Sequence, residues 1–235
     1  MVPAVPKVPG VPKVKTLLAF LALMTVAVAT PATAQTREPL PWFAVDVHAA
    51  TVGLPQAEGW VPEVSGDTVL PGRNWGVSAG ATAYPFRLGL ITFGVGASLI
   101  SGKGSGESLT ITEGSGSTAT TRITPVVHTG ITSLVPQLSI NFGRKLGWSY
   151  LSAGLGVSKV TSRADAIGTT PAIVVPEAWN SALNFGGGAR WFMKPHLGAG
   201  FDVRFVKLAS RSATDALPAA KRTQVWNISV GISIQ

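Results

Sequence analysis

The sequence contains no cysteine, so no disulfide stabilises the fold and no lipid-modified cysteine tethers it. Charge is also scarce. Asp, Glu, Lys and Arg make up 13% of the 235 residues, about half their usual share in soluble domains. Past residue 35 no apolar run approaches the ~20 residues that a membrane-crossing helix needs, which excludes a helical membrane protein. Of the net charge of +8, three positive charges are Lys7, Lys13 and Lys15 in the first stretch; the remaining 16 Lys and Arg against 11 Asp and Glu, net +5, are spread thinly. They form no basic cluster with interleaved aromatics, so nucleic acid is not a partner on this reading. No metal-ligating cluster and no phosphate-binding loop is visible, so no cofactor and no metal is expected.

What the sequence has begins with a secretory signal. Lys7, Lys13 and Lys15 lie in a basic opening stretch without acids, and an apolar run from Leu17 to Ala29 follows. Ala32-Thr33-Ala34 then supplies a small-x-small cleavage site. Residues 1–34 are read as a signal peptide, 35–41 as a short periplasmic segment and 42–235 as one barrel domain.

The remaining chain alternates with period two, the mark of strands with two different faces. Leu197, Ala199, Phe201, Val203 and Phe205 share one face, and Gly198, Gly200, Asp202 and Arg204 the other. Leu183 to Trp191 and Trp226 to Ile234 behave alike, as do runs at 43–49, 75–84, 90–99, 134–142 and 151–158. These eight runs are each close to the 9–11 residues of a tilted transmembrane strand. Long polar connections (53–73, 102–130, 161–179, 208–223) alternate with short turns (Pro85–Gly89, Gly143–Gly147, Lys194–His196). Long external loops and short periplasmic turns characterise outer-membrane barrels. A soluble barrel of the lipocalin kind would show water its polar face, rich in Lys and Glu; here that face carries Gly, Ser and Asn. The expected fold is all-β: an eight-stranded antiparallel up-and-down transmembrane β-barrel in the outer membrane of a Gram-negative cell. Pairing parity predicts an odd turn at Lys194–His196 and an even one between the runs ending at Phe142 and beginning near Leu151.

The segment Asn184-Phe-Gly-Gly-Gly-Ala-Arg-Trp-Phe192, with His196-Leu-Gly-Ala-Gly-Phe-Asp-Val-Arg-Phe205 after it, resembles the penultimate hairpin of small barrels of the OmpA/OmpX type. That resemblance implies a barrel from about Trp42 to Gln235, without the peptidoglycan-binding domain that follows the OmpA barrel. Such barrels often end in Phe, where this chain has Gln235.

Parity directs Asp46, His48, Asn184, Arg190, Asp202 and Arg204 into the lumen, where buried charges must be paired. Arg190, Asp202 and Arg204 are expected to form one network, with Asp46 joining from the far side. The bland reading is a structural plug; a gated ion path and a catalytic acid–base pair are the sharper ones. Of the three histidines only His48 lies within a strand run, and no serine is visibly paired with a histidine, so catalysis is not expected. The loop from Ser101 to about Thr121 reads as mobile, with Ser108–Thr112 as a possible β-flap. Three functions remain open: a structural or surface-interaction barrel, a narrow pore or carrier, and a lipid-modifying enzyme. The first is preferred. The expected partners are outer-membrane lipids including lipopolysaccharide, the barrel assembly machinery, and an external ligand held by the loops.

Overall fold

The computed structural model describes residues 39–64, 67–114, 119–215 and 217–235. The signal peptide and its cleavage site lie outside the described residues. Among the described residues ten strands form: β1 (Phe43–Gly53), β2 (Arg73–Leu88), β3 (Ile91–Ser105), β4 (Thr110–Glu113), β5 (Thr120–Ile123), β6 (Val127–Arg144), β7 (Gly147–Ala164), β8 (Ile173–Phe192), β9 (Leu197–Leu208) and β10 (Thr223–Ile234). Eight of them close an antiparallel barrel in the order β1-β10-β9-β8-β7-β6-β3-β2. Among the described residues β4 and β5 pair with each other as a separate two-stranded sheet, a small hairpin inside the long connection from β3 to β6, where a mobile loop is the expectation and a flap at Ser108–Thr112 the lesser reading.

The period-two pattern fixes which face meets lipid. On β7, Leu151, Leu155 and Val157 are exposed while Trp148, Tyr150 and Ser152 are buried. Exposed aromatics form two girdles. Trp42, Phe43, Phe86, Phe142 and Trp191 lie toward the short-turn end, and Trp75, Trp179 and Trp226 toward the long-loop end. An apolar band between aromatic girdles is the exterior of a barrel that spans a bilayer.

Turn chemistry sets the register as parity requires. Arg144 pairs with Gly147 around the even turn Lys145–Leu146. Phe192 pairs with Gly198, an even sum centred on Pro195. Lys194 and Leu197 exchange backbone hydrogen bonds at 3.1 and 3.4 Å, so the tight loop is Pro195–His196. Met193 is then the extra residue of a bulge that restores the parity. The turn expected at Pro85–Gly89 is shorter. β2 continues to Leu88, and a register shift between Ala83 and Phe86 absorbs Pro85, which has no N–H to give the ladder.

Strand length is the main departure from expectation. β1, β9 and β10 have 11, 12 and 12 residues, but β6, β7 and β8 have 18, 18 and 20. One side of the barrel is therefore a tall wall that runs past the membrane, because the backbone ladder continues where the apolar alternation stops. On the low side, the β1–β2 and β9–β10 connections fold over the mouth. Trp60 is buried among Val52, Leu54, Ile100, Val206 and Leu208, and its indole N–H donates to the Lys221 carbonyl at 2.6 Å. Gly59, at φ +80°, lies so close to Ala219 that a Cβ would sit 1.8 Å from its carbonyl oxygen. Only glycine permits that approach.

Candidate functional site: a layered lumen

Inward positions stack into three layers. The upper layer is apolar: Ala50, Val52, Ile100, Ile131, Val160 and Val206, closed above by Trp60. The lower layer is aromatic, with Trp148 stacked on Phe192 at 5.0 Å and edge-on to Tyr84 at 6.0 Å. Leu40, ahead of β1, is buried in this layer. The polar residues lie between the two.

All six residues singled out for the lumen are buried there: Asp46, His48, Asn184, Arg190, Asp202 and Arg204. Their wiring differs from the expected one. Arg190 grips Asp46 with two parallel bonds, Nε to Oδ1 at 2.8 Å and Nη2 to Oδ2 at 2.5 Å. The Ser233 hydroxyl donates to the same carboxylate at 2.6 Å. Arg204 donates from Nε to Asp202 at 2.8 Å and from Nη1 to Gln137 at 2.6 Å. The Tyr150 hydroxyl donates to Asp202 at 2.8 Å, and the Arg190 guanidinium lies 4.2 Å above the Tyr150 ring. Two ion pairs bridged by a tyrosine thus replace one Arg190–Asp202–Arg204 network. The cause is the closing register. Asp46 pairs with Ser233 and His48 with Gly231, which brings the Asp46 carboxylate within reach of Arg190. Asn184 stands apart, donating to Ser98 at 3.3 Å, and His48 meets Ser229 at 3.2 Å.

Tyr84, Tyr150 and Gln137 were not singled out from the sequence, although their parity marked them as inward. Glycines make room for the two tyrosines: a Cβ on Gly94 would sit 3.1 Å from the Tyr84 ring, and one on Gly188 3.0 Å from the Tyr150 hydroxyl. Two carboxylates balance two guanidiniums, and both arginines spend donors on carboxylates. Such a lumen can brace the wall.

Of the expectations for the histidines, the one for His128 needs correction. His196 hydrogen-bonds the Gln235 carbonyl at 3.1 Å in the short turn. His128 belongs to β6, not to a loop, and it pairs with Ser105 of the lengthened β3. Its Nδ1 lies 2.7 Å from the Ser105 hydroxyl and its Nε2 2.9 Å from Asp165. A serine is therefore paired with a histidine. The Gly/Ser-rich stretch that ends β3 had hidden it by reading as loop.

No protein-family model and no curated protein sequence matches the chain. Among solved structures it is similar to Neisserial surface protein A, at 13% identity over 83% of this chain and 97% of that one, with a TM-score of 0.44. It is also similar to Ail, the attachment invasion locus protein of Yersinia pestis, in complex with the heparin analogue sucrose octasulfate. There the identity is 11% over 82% and 96% of the two chains, with a TM-score of 0.46. The outer membrane protein OprG from Pseudomonas aeruginosa gives 13% identity over 85% and 98%, with a TM-score of 0.42.

Proposed function

We propose that this chain is a structural barrel of a bacterial outer membrane, closed to ion flow, whose tall wall and loops present a surface to the outside. The observation that carries this reading is the filled lumen. Asp46–Arg190 and Asp202–Arg204 are matched ion pairs locked between an aromatic and an apolar layer. Buried pairs of this kind are costly to break, since removing one partner strands the other charge. An ion crossing the barrel would have to separate both pairs and displace Trp60. The apolar exterior and its girdles favour lipid as the surrounding medium, and Lys103, on the outer face at the level of the upper girdle, favours anionic headgroups such as those of lipopolysaccharide. Planar-bilayer recording of the purified protein tests the closed lumen. No steady conductance is expected; a stable open level would overturn the plug and put transport first.

A further inference from the structure

The outer face of the tall wall carries a second constellation, separate from the lumen. Ser105 on β3, His128 on β6 and Asp165 just past β7 all project outward, with the parity of Leu99, Leu134 and Val157. Cross-strand pairing sets Ser105 opposite His128 and His128 opposite Arg163, so that Asp165, two residues past Arg163, stands diagonal to the imidazole. The Asp165 backbone N–H donates to the Val126 carbonyl at 3.0 Å, which fixes the residue beside the imidazole. From these positions we propose that Ser105, His128 and Asp165 form the nucleophile, base and orienting acid of an ester hydrolase on the outer face of the barrel.

The chemistry follows from the two hydrogen bonds. His128 Nε2–H donates to Asp165 Oδ2 at 2.9 Å. That fixes the tautomer and leaves the Nδ1 lone pair to accept the Ser105 hydroxyl at 2.7 Å. Ser105 Oγ attacks the ester carbonyl carbon and its proton passes to Nδ1. The C–O bond then breaks, and the departing alcohol takes that proton. Water attacks the acyl-serine, giving its proton to Nδ1; the C–Oγ bond breaks and Ser105 recovers the proton. The balance is ester plus water to acid plus alcohol. Lys103, two residues from Ser105 on the same strand face, lines with His128, Arg163 and Glu177 a groove of about 420 Å³ that adjoins the serine, and its ammonium is the cation on that face for a tetrahedral oxyanion.

The height of Ser105 selects the substrate. The register that pairs Gly76 with Gly102 brings Trp75, of the upper girdle and on the strand next to β3, beside Lys103, and both line one groove. Ser105 lies two residues further along β3, about 7 Å along the strand and roughly 5 Å above the girdle after strand tilt. That is beyond the acyl–glycerol esters at the hydrocarbon edge. The carbonyl to be attacked therefore stands on the polar outer part of a surface amphiphile, and Lys103, beside the ion pairs Arg163–Asp165 and Lys159–Glu177, suits an anionic one. The substrate class is a short-chain carboxylic ester on an anionic glycolipid headgroup. This height argument rests on the membrane placement proposed above; the triad itself does not.

The test uses the folded full chain in detergent micelles and in vesicles containing lipopolysaccharide. A fluorophosphonate probe should label Ser105, located by mass spectrometry, and p-nitrophenyl acetate should be hydrolysed. Ser105→Ala and His128→Gln should each lose the label and drop hydrolysis about a thousand-fold or more, Asp165→Asn about a hundred-fold or more. Ser101→Ala should keep the full rate. A compact gel band before heating confirms folding of each variant. Absence of label, with the parent no faster than Ser105→Ala, would overturn the hydrolase. Vesicle-held p-nitrophenyl palmitate cleaved as fast as the acetate would overturn the substrate class. Neither result bears on the bilayer conductance that tests the plug.

Discussion

Asp46 in the lumen and Asp165 on the rim are both aspartates bonded to a nitrogen-bearing side chain, and they differ in what surrounds them. Asp46 is 6% exposed, gripped twice by Arg190 and once by Ser233. Its oxygens are spent on the fold. The Asp165 side chain is 45% exposed and its His128 partner 34% exposed. A hydroxyl, an imidazole and a carboxylate are there joined in sequence beside an open groove. Polar residues sealed from water must satisfy one another, so they brace the wall. Polar residues at the rim owe the fold little and remain available for chemistry.

The largest expected effect separates the two sites by stability. Asp46→Ala strands the Arg190 guanidinium in a closed interior and should lower unfolding free energy by about 3–5 kcal/mol, read by urea unfolding in vesicles. Ser105→Ala, which lies outside the barrel, should stay within about 0.5 kcal/mol of the parent. Equal losses at the two positions would erase the contrast. Leu155→Arg comes next. That side chain is 74% exposed in the lipid-facing band of β7, and a cation there should cost about 2–4 kcal/mol near the midplane. Folding into vesicles with the parent's urea midpoint would remove the band from the lipid.

What the sequence reveals depends on which force writes the pattern. Burial against lipid on one side and lumen on the other writes alternation, and alternation was enough to face Leu155, Asp202 and Arg204 correctly. Turn parity settled the register at Lys145–Leu146 because a short connection links the strands. β1 and β10 have no connection, so nothing local placed Asp46 opposite Ser233 or within reach of Arg190. At the end of β3 the inward positions are Gly102 and Gly104 and the outward ones Ser101, Lys103 and Ser105, so apolar alternation fades there although the inner face beside them stays buried at Thr129 and Ser162. Residues Ser101–Ser105 therefore looked like loop while their backbone continued the ladder, and the Ser105–His128 pair was invisible. Tyr150 was legible and overlooked: its even number on β7 already turned it inward.

Tyr150 offers the next test. Its hydroxyl joins the two ion pairs, donating to Asp202 at 2.8 Å under the Arg190 guanidinium. Tyr150→Phe keeps the ring and the cation contact but removes the donor. Asp202 retains Arg204, so the loss should be about 1–2 kcal/mol by urea unfolding, clearly below that of Asp46→Ala. A loss as large would mean that the hydroxyl, not the ion pairs, holds the lumen together.

The smallest effect belongs to the cap over the low side, where Lys221 Nζ lies 2.6 Å from Glu58. The Lys221 ammonium holds the Glu58 carboxyl below its ordinary value of 4.5, first by hydrogen bonding and then by charge. Glu58 in turn holds Lys221 above 10.5. Both groups are open to water, so solvent screens the pair and its contribution is small. The signs are nonetheless definite. A carboxyl lowered by folding contributes fully above its unfolded value, and the contribution disappears as pH falls through the folded one. An amine raised by folding contributes fully below its unfolded value and loses that contribution as pH rises through the folded one. The bond between the β1–β2 and β9–β10 connections should therefore be firm across neutral pH and slacken at both extremes. Amide hydrogen exchange at Trp60 and Lys221, whose N–H groups donate to Ala57 and Glu58, reports that slackening directly. Relative to the parent, Glu58→Gln should remove most of the change in their protection between about pH 7 and about pH 3. It should leave the Arg190 and Asp202 amides in the barrel wall unaltered. An equal rise in exchange in cap and wall would mean that acid opens the barrel as a whole, and the cap would then be no looser a unit than the lumen it covers.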